Sequence, residues 1–277
     1  LIVEALAAPR ALQRLLAIVL ATVLLVAQSA HATVGIVIRT PDEIVVGTDT
    51  KVLAINQDGS VRDAGYACKL RRLGPRRFVA LAGFQEGAGL NLGDFVVDTF
   101  RLRSDDTDPF RLMPRAIGKA LAHVFRGATP GTYADFARRE RITTVAFLYV
   151  DEYRNSNAQV YNFQPTIDAK NRRPTMTTSA CPPDCASGFG HVVLGERKAT
   201  DAIESRLRAN PSYPYEPRDG GIVAAVQSLL QTGVDASPID CGGQIDIARL
   251  RSAGADRVYS SEECKREDER AGATPGP

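Results

Sequence analysis

Residues 33–51 read TVGIVIRTPDEIVVGTDTK. Two apolar, β-branched runs, TVGIVIR and EIVVGTD, flank the turn signal Thr40-Pro41-Asp42, a pattern that predicts an antiparallel hairpin. Nearly every residue of both runs is apolar, so both faces of this sheet should be covered. Folding the hairpin about Pro41 and Asp42 pairs residues whose numbers sum to about 82 or 83, which sets Asp49 or its immediate neighbour opposite Thr33.

Working outward from the hairpin, a polar loop over 56–63 leads to a short strand at 69–73 and a stronger one, RFVALAG, at 77–83. Helical spacing of Leu90, Phe95, Val96, Thr99 and Phe100 predicts a helix between 87 and 103, followed by a second at 111–125 and a short third at 133–139. Strands return at 143–150, 158–163, 175–179 and 191–194. Helices follow at 196–209 and 220–231, then strands at 244–248 and 257–259. This order predicts an α+β fold in which two stacked sheets each carry an outer helix layer, a four-layer αββα sandwich. No internal repeat and no linker divides it, so residues 33–263 read as one domain. The segment 264–277 is charged and rich in Gly and Pro near its end, and reads as a disordered tail.

Upstream of the hairpin, Arg10 and Arg14 precede the apolar run Leu15–Ala27, which is followed by QSAHA. Positive, apolar and then small residues, in that order, predict a cleaved secretory signal over 1–32 with Ala30-x-Ala32 as the cut site. The apolar run is shorter than the roughly 20 residues of a membrane span. Export implies a periplasmic or extracellular, oxidising setting in which five cysteines can pair. The spacing favours Cys181–Cys185 within CPPDC and Cys241–Cys264, leaving Cys68 over and buried. A zinc site from Cys181, Cys185 and His191 matches no common ligand spacing, and no metal or other cofactor is expected.

Composition narrows the function classes. The chain is 44% apolar and 24% charged with a formal net charge of +2, values of a globular protein with no strong field toward nucleic acid or anionic membrane. Arg71, Arg72, Arg76 and Arg77 form a local basic cluster without aromatic interleaving and read as a solvated loop face. His123 and His191 read as structural polar residues, and no G-x-S-x-G nucleophile elbow occurs.

The chemistry instead converges on residue 33. A cut after Ala32 would give Thr33 a hydroxyl and a free α-amine on one residue, a nucleophile with its own base. An α-amine titrates near about 7.7 to 8.0, so part of it is unprotonated at neutral pH. Asp49, at the end of a doubly covered strand, requires a cationic partner, either Lys69 or Lys51. A lysine beside the hydroxyl would stabilise the developing alkoxide, and an aspartate behind it would keep the lysine charged and oriented.

These residues, with CKLRRLGPRRFVALAGFQEGAGL at 68–90, resemble the N-terminal third of the proteasome β-subunit family and its bacterial relatives, N-terminal-threonine hydrolases of αββα fold. The shared features are the threonine, the aspartate sixteen residues later, a lysine before Leu-Arg-Arg, and a strand ending Ala-Gly before a helix. The resemblance implies Thr33 as nucleophile, Asp49 and Lys69 as its charge relay and Gly83 N–H as oxyanion donor. That last role also suits a residue whose backbone can approach a substrate closely. Leu81, just before Ala82-Gly83, would line the pocket. The expected substrate is a peptide or small amide, and homo-oligomers are possible. The sequence departs from the family at Ala32, where glycine is usual, at Cys241, where serine is usual, and at Pro238, where aspartate is usual. The departures at Cys241 and Pro238 fit an alternative, a non-catalytic secreted domain used for binding or assembly.

Overall fold

The computed structural model describes residues 28–30, 33–55, 61–87, 89–102, 109–126, 142–151, 153, 155–167, 174–180, 190–215 and 221–270. The decisive hairpin forms as read: β2 (Val34–Arg39) pairs antiparallel with β3 (Glu43–Asp49) in the register Gly35↔Thr48, Val37↔Val46, Arg39↔Ile44. Thr40 closes its turn, donating its amide to Glu43 O at 2.9 Å. A five-stranded sheet is completed by β13 (Gly190–Gly195) outside β2, and by β14 (Ile245–Arg251) and β15 (Gly254–Tyr259) outside β3.

The second five-stranded sheet runs β12 (Pro174–Ala180), β11 (Ser156–Ile167), β10 (Thr143–Val150), β7 (Arg77–Gly83) and β6 (Leu70–Gly74). Its facing residues Leu70, Phe78, Ala80, Ala82, Ala146 and Leu148 pack on Val37, Ile44, Val46 and Leu250 of the first. The opposite faces are covered too, which is why the strands lack polar alternation. On the first sheet, Ile36, Ile38 and Val45 meet Ile203 and Leu207 of α3 (Arg197–Ala209), together with Val226, Leu229 and Leu230 of α4 (Gly221–Ala236). On the second, Val79, Leu81, Val145 and Phe147 meet Val96 and Phe100 of α1 (Leu92–Leu102), with Met113, Ile117 and Leu121 of α2 (Pro109–Arg126).

The expected four-layer αββα sandwich is nonetheless corrected to a β-rich, mainly antiparallel fold. Strands hold more of the described residues than helices do, and every pairing among them is antiparallel. A third sheet, β1 (Gln28–Ala30), β4 (Lys51–Ile55) and β5 (Val61–Tyr66), and a ribbon of β8 (Glu86–Gly87) with β9 (Leu90–Asn91), have no place in a four-layer stack. β1, β8 and β9 are two or three residues long and β5 is polar, so these four carry no alternation for a sequence reading to detect.

Other expectations are corrected near the C-terminus. Residues 262–270, read as part of a disordered tail from 264 onward, form the helix α5 (Glu262–Arg270). Cys264 on this helix is bonded to Cys68, not to Cys241, which is a buried free thiol. Chain separation misleads here because α5 packs on β6, and Cys68 lies two residues before that strand. The arginine cluster is solvated only in part: Arg76 and Arg77 are exposed, whereas Arg71 is buried and Arg72 half-buried. Arg71 pairs with Glu267 of α5 and, at 3.5 Å, with Asp94 of α1. Arg72 and Arg257 each stack on Phe78, at 5.1 and 5.3 Å from the ring centroid, and Arg77 lies over Phe100. The 133–139 helix, Cys181, Cys185 and the leader other than 28–30, with Ala32 at the expected cut, lie outside the described residues. Among the described residues, no helix is long and apolar enough to cross a membrane.

A bridge closing 196 residues of chain strongly limits the unfolded ensemble. Non-reducing peptide mapping should recover Cys68 joined to Cys264, and Cys264→Ser should lower unfolding free energy in denaturant by about 3 kcal/mol. A Cys241–Cys264 peptide would contradict the pairing.

Candidate active site

The turn between β2 and β3 brings the start of one strand beside the end of the other, and buried polar groups collect there. Asp49, the last residue of β3, and Lys69, just before β6, are both fully buried, with Lys69 Nζ donating to Asp49 Oδ1 at 2.9 Å. The same oxygen accepts the amide N–H of Val34 at 3.0 Å, and Oδ2 accepts that of Gly242 at 2.9 Å. Lys69 Nζ also donates to the carbonyl of Lys51 at 2.5 Å. Asp49 therefore ties together β2, β3, the 241–244 loop and the lysine.

Burial drives the two ionisations in opposite directions. It pushes the Asp49 carboxyl above its ordinary value and the Lys69 amine below its own, while their mutual attraction opposes both shifts. Three N–H donors converge on the two Asp49 oxygens, two on Oδ1 and one on Oδ2, an arrangement that suits a carboxylate facing an ammonium. Lys51, the other lysine considered as a partner, instead extends Nζ to the carbonyls of Ile239 (2.8 Å) and Pro238 (3.3 Å).

Thr33 stands immediately before Val34 and is 1% exposed. Its carbonyl accepts the amide of Glu196 at 2.8 Å, in the turn from β13 into α3. Only glycine fits at position 195. Its φ is +115°, and a Cβ there would lie 1.8 Å from Thr33 O. A cavity of about 40 Å³ lies against Thr33 and is also lined by Ala82, Gly83, Thr143, Thr144, Gly195 and Glu196. Gly83, at the end of β7 with φ +97°, thus faces the same space as Thr33. Thr143 braces this corner by donating its hydroxyl to Ala82 O at 3.0 Å.

Of the five residues read from the sequence, the structure joins Asp49 to Lys69 and to the amide next to Thr33, and places Thr33 and Gly83 on one cavity. Leu81 is placed elsewhere. It is fully buried, and its side chain joins the core beneath α1 and α2 while the cavity lies on the alternate face of β7. Strand periodicity of two turns the side chains of 80 and 82 one way and those of 79 and 81 the other. Sequence reasoning passed over Gly195, Glu196, Thr143 and Thr144, which come from strand ends far away in the chain. The one local signal was a Gly-Glu pair opening a helix. Cys241 is no rival nucleophile, because burial and the nearby Asp49 charge raise its thiol far above neutrality. Among the described residues, Cys68, Asp246 and Cys264 are the one group with metal-ligand spacing, and both sulfurs are spent in the disulfide.

Removing one partner of the buried pair should be costly. Asp49→Asn should destabilise the protein by on the order of 3 kcal/mol, and adding Lys69→Met should restore part of that loss because no lone ammonium stays buried. Chemical denaturation of the two singles and the double tests this; strictly additive losses would show the two side chains are not coupled.

No protein-family model matches the chain, and no curated protein matches it.

Proposed function

We propose that the chain is a hydrolase of peptide or other amide bonds, activated by a cut between Ala32 and Thr33, with Thr33 as its nucleophile. The observation that carries this reading is the shared Asp49 oxygen. It accepts both Lys69 Nζ and the N–H of the residue following Thr33, beside a cavity that Thr33 and Gly83 line together.

In the reaction the α-amine of Thr33 takes the hydroxyl proton as Oγ forms a bond to the substrate carbonyl carbon. The Lys69 ammonium favours the developing alkoxide, and Asp49 keeps that ammonium charged and oriented. The backbone N–H of Gly83 donates to the oxyanion. Collapse breaks the C–N bond, the α-ammonium returns its proton to the leaving amine, and an ester on Thr33 remains. Water, deprotonated by the same amine, then cleaves the ester and regenerates the hydroxyl.

A peptide substrate is favoured by the segment just before the cut. Gln28–Ala30 pairs as a strand with β4 in the register Gln28↔Ile55, Ala30↔Leu53. The edge of β4 thus accepts an extended chain, and removal of the leader would release it. Thr33 is almost wholly covered in the uncut chain, which agrees with a dormant precursor.

The test is intact mass and N-terminal sequencing of protein recovered after export in a secreting bacterium, followed by assay on a fluorogenic peptide panel. The expected terminus is Thr33, with hydrolysis abolished by Thr33→Ala at unchanged melting temperature. A different terminus, or activity retained in Thr33→Ala, would overturn the proposal. A Thr33 terminus without hydrolysis would favour the non-catalytic binding domain.

A further inference from the structure

Glu196 lines the cavity beside Thr33 and carries a carboxylate that the proposed mechanism leaves unused. Glu196 ends the β13 turn, and its amide is fixed on Thr33 O at 2.8 Å. Its Oε2 caps α3 by accepting Ala199 N–H at 3.0 Å, while Oε1 accepts no hydrogen bond from the described residues. Among the described residues lining this cavity, Glu196 is the sole one with an ionisable side chain, besides the Thr33 terminus that a cut would create.

The other charges near Thr33 are already committed. Asp49 on β3 holds Lys69, Val34 and Gly242. Lys69 holds Asp49 and the Lys51 carbonyl. Cys241, before β14, is a neutral buried thiol. Lys51 of β4 is turned to the carbonyls of 238 and 239. On α3, Arg197 is exposed and lies 3.8 Å from Asp201. A new α-ammonium at Thr33, in a space of only about 40 Å³, therefore meets one carboxylate oxygen with open lone pairs.

We propose that Glu196 is a positioning residue: through Oε1 it accepts a hydrogen bond from the α-amino group of Thr33 once the chain is cut, and holds that amine beside the Thr33 hydroxyl. This inference rests on the reading of Thr33 as the mature terminus. Glu196 touches neither the scissile bond nor the attacking oxygen. The carboxylate keeps the amine within reach of the proton it must take, and it also favours the ammonium form, so it sets the lower pH boundary of activity. The sign follows directly: removing the negative charge makes the amine easier to deprotonate and extends activity toward acid. Loss of the hydrogen bond leaves the amine less well placed and slows turnover.

The experiment compares the processed wild-type protein with Glu196→Gln and Glu196→Asp. The pH dependence of α-amine labelling by acetic anhydride, read by mass spectrometry, gives the amine pKa without requiring turnover. Glutamine keeps an oxygen for the Ala199 N–H, so the cap and the melting temperature should be little changed. Glu196→Gln should lower the amine pKa by about one unit, against a reading error of about 0.2, and Glu196→Asp should keep most of the wild-type value. In the peptide assay, the acidic limb of kcat/KM should move by the same amount toward low pH, and kcat should fall on the order of tenfold with KM little changed. An unchanged amine pKa in Glu196→Gln would overturn the inference and leave Glu196 a helix cap. If that pKa shift appears without any hydrolysis, the hydrolase reading fails and the placement of Glu196 stands. A terminus other than Thr33 overturns both.

Discussion

The contact between Lys69 and Asp49 is the constraint on which the rest of this corner depends. Two ions taken fully out of water each carry a penalty of several kcal/mol, which is offset only when geometry is good and the remaining lone pairs are used. Asp49 meets that condition by accepting from three elements at once. The hairpin end, the lysine before β6 and the 241–244 loop cannot shift independently without stranding a charge. The pair thus fixes the position of the Thr33–Val34 peptide with a rigidity that apolar packing alone would not impose.

The surrounding fold supplies what the pair needs. The sheets press together through Val37, Val46, Phe78 and Ala80, and helices seal the opposite faces. This leaves a dry interior in which the electrostatic contacts are strong. The bridge from Cys68 to Cys264 anchors the residue before Lys69 to α5, and Arg71, two residues after it, pairs with Glu267 on that helix. The lysine is therefore held on both sides along its own chain. Opposite it, Gly195 brings the β13 turn into contact with the Thr33 carbonyl, a closeness that any side chain there would prevent.

The legible parts of the structure were those whose signal is local. TVGIVIR, the Pro41-Asp42 turn and EIVVGTD declare a hairpin, and because side chains alternate with period two, its register placed Asp49 at the level of Thr33 within one residue. RFVALAG is likewise β7 from end to end. Signals that depend on tertiary context were not legible. The short strands β8 and β9 and the polar β5 carry too few apolar positions for a periodicity, so strand content was underestimated and the layer count was wrong. Disulfide partners 196 residues apart depend on how α5 docks. Leu81 was assigned to a pocket by its neighbours in sequence, although its parity along the strand points it into the opposite core. Glu196 gives no motif of its own; its significance comes entirely from lying across a small cavity from Thr33.

The central claim is that hydroxyl and α-amine act together on one residue. It is tested most directly by treating the mature protein with a peptidyl α′,β′-epoxyketone, an electrophile that closes a ring by consuming both groups, and mapping the adduct by tandem mass spectrometry. The account predicts a single adduct on Thr33 in which oxygen and nitrogen are both bonded to the reagent, absent from Lys69→Met. An adduct at Cys241, or attachment at Thr33 through oxygen alone with the amine still blocked by a preceding residue, would contradict it.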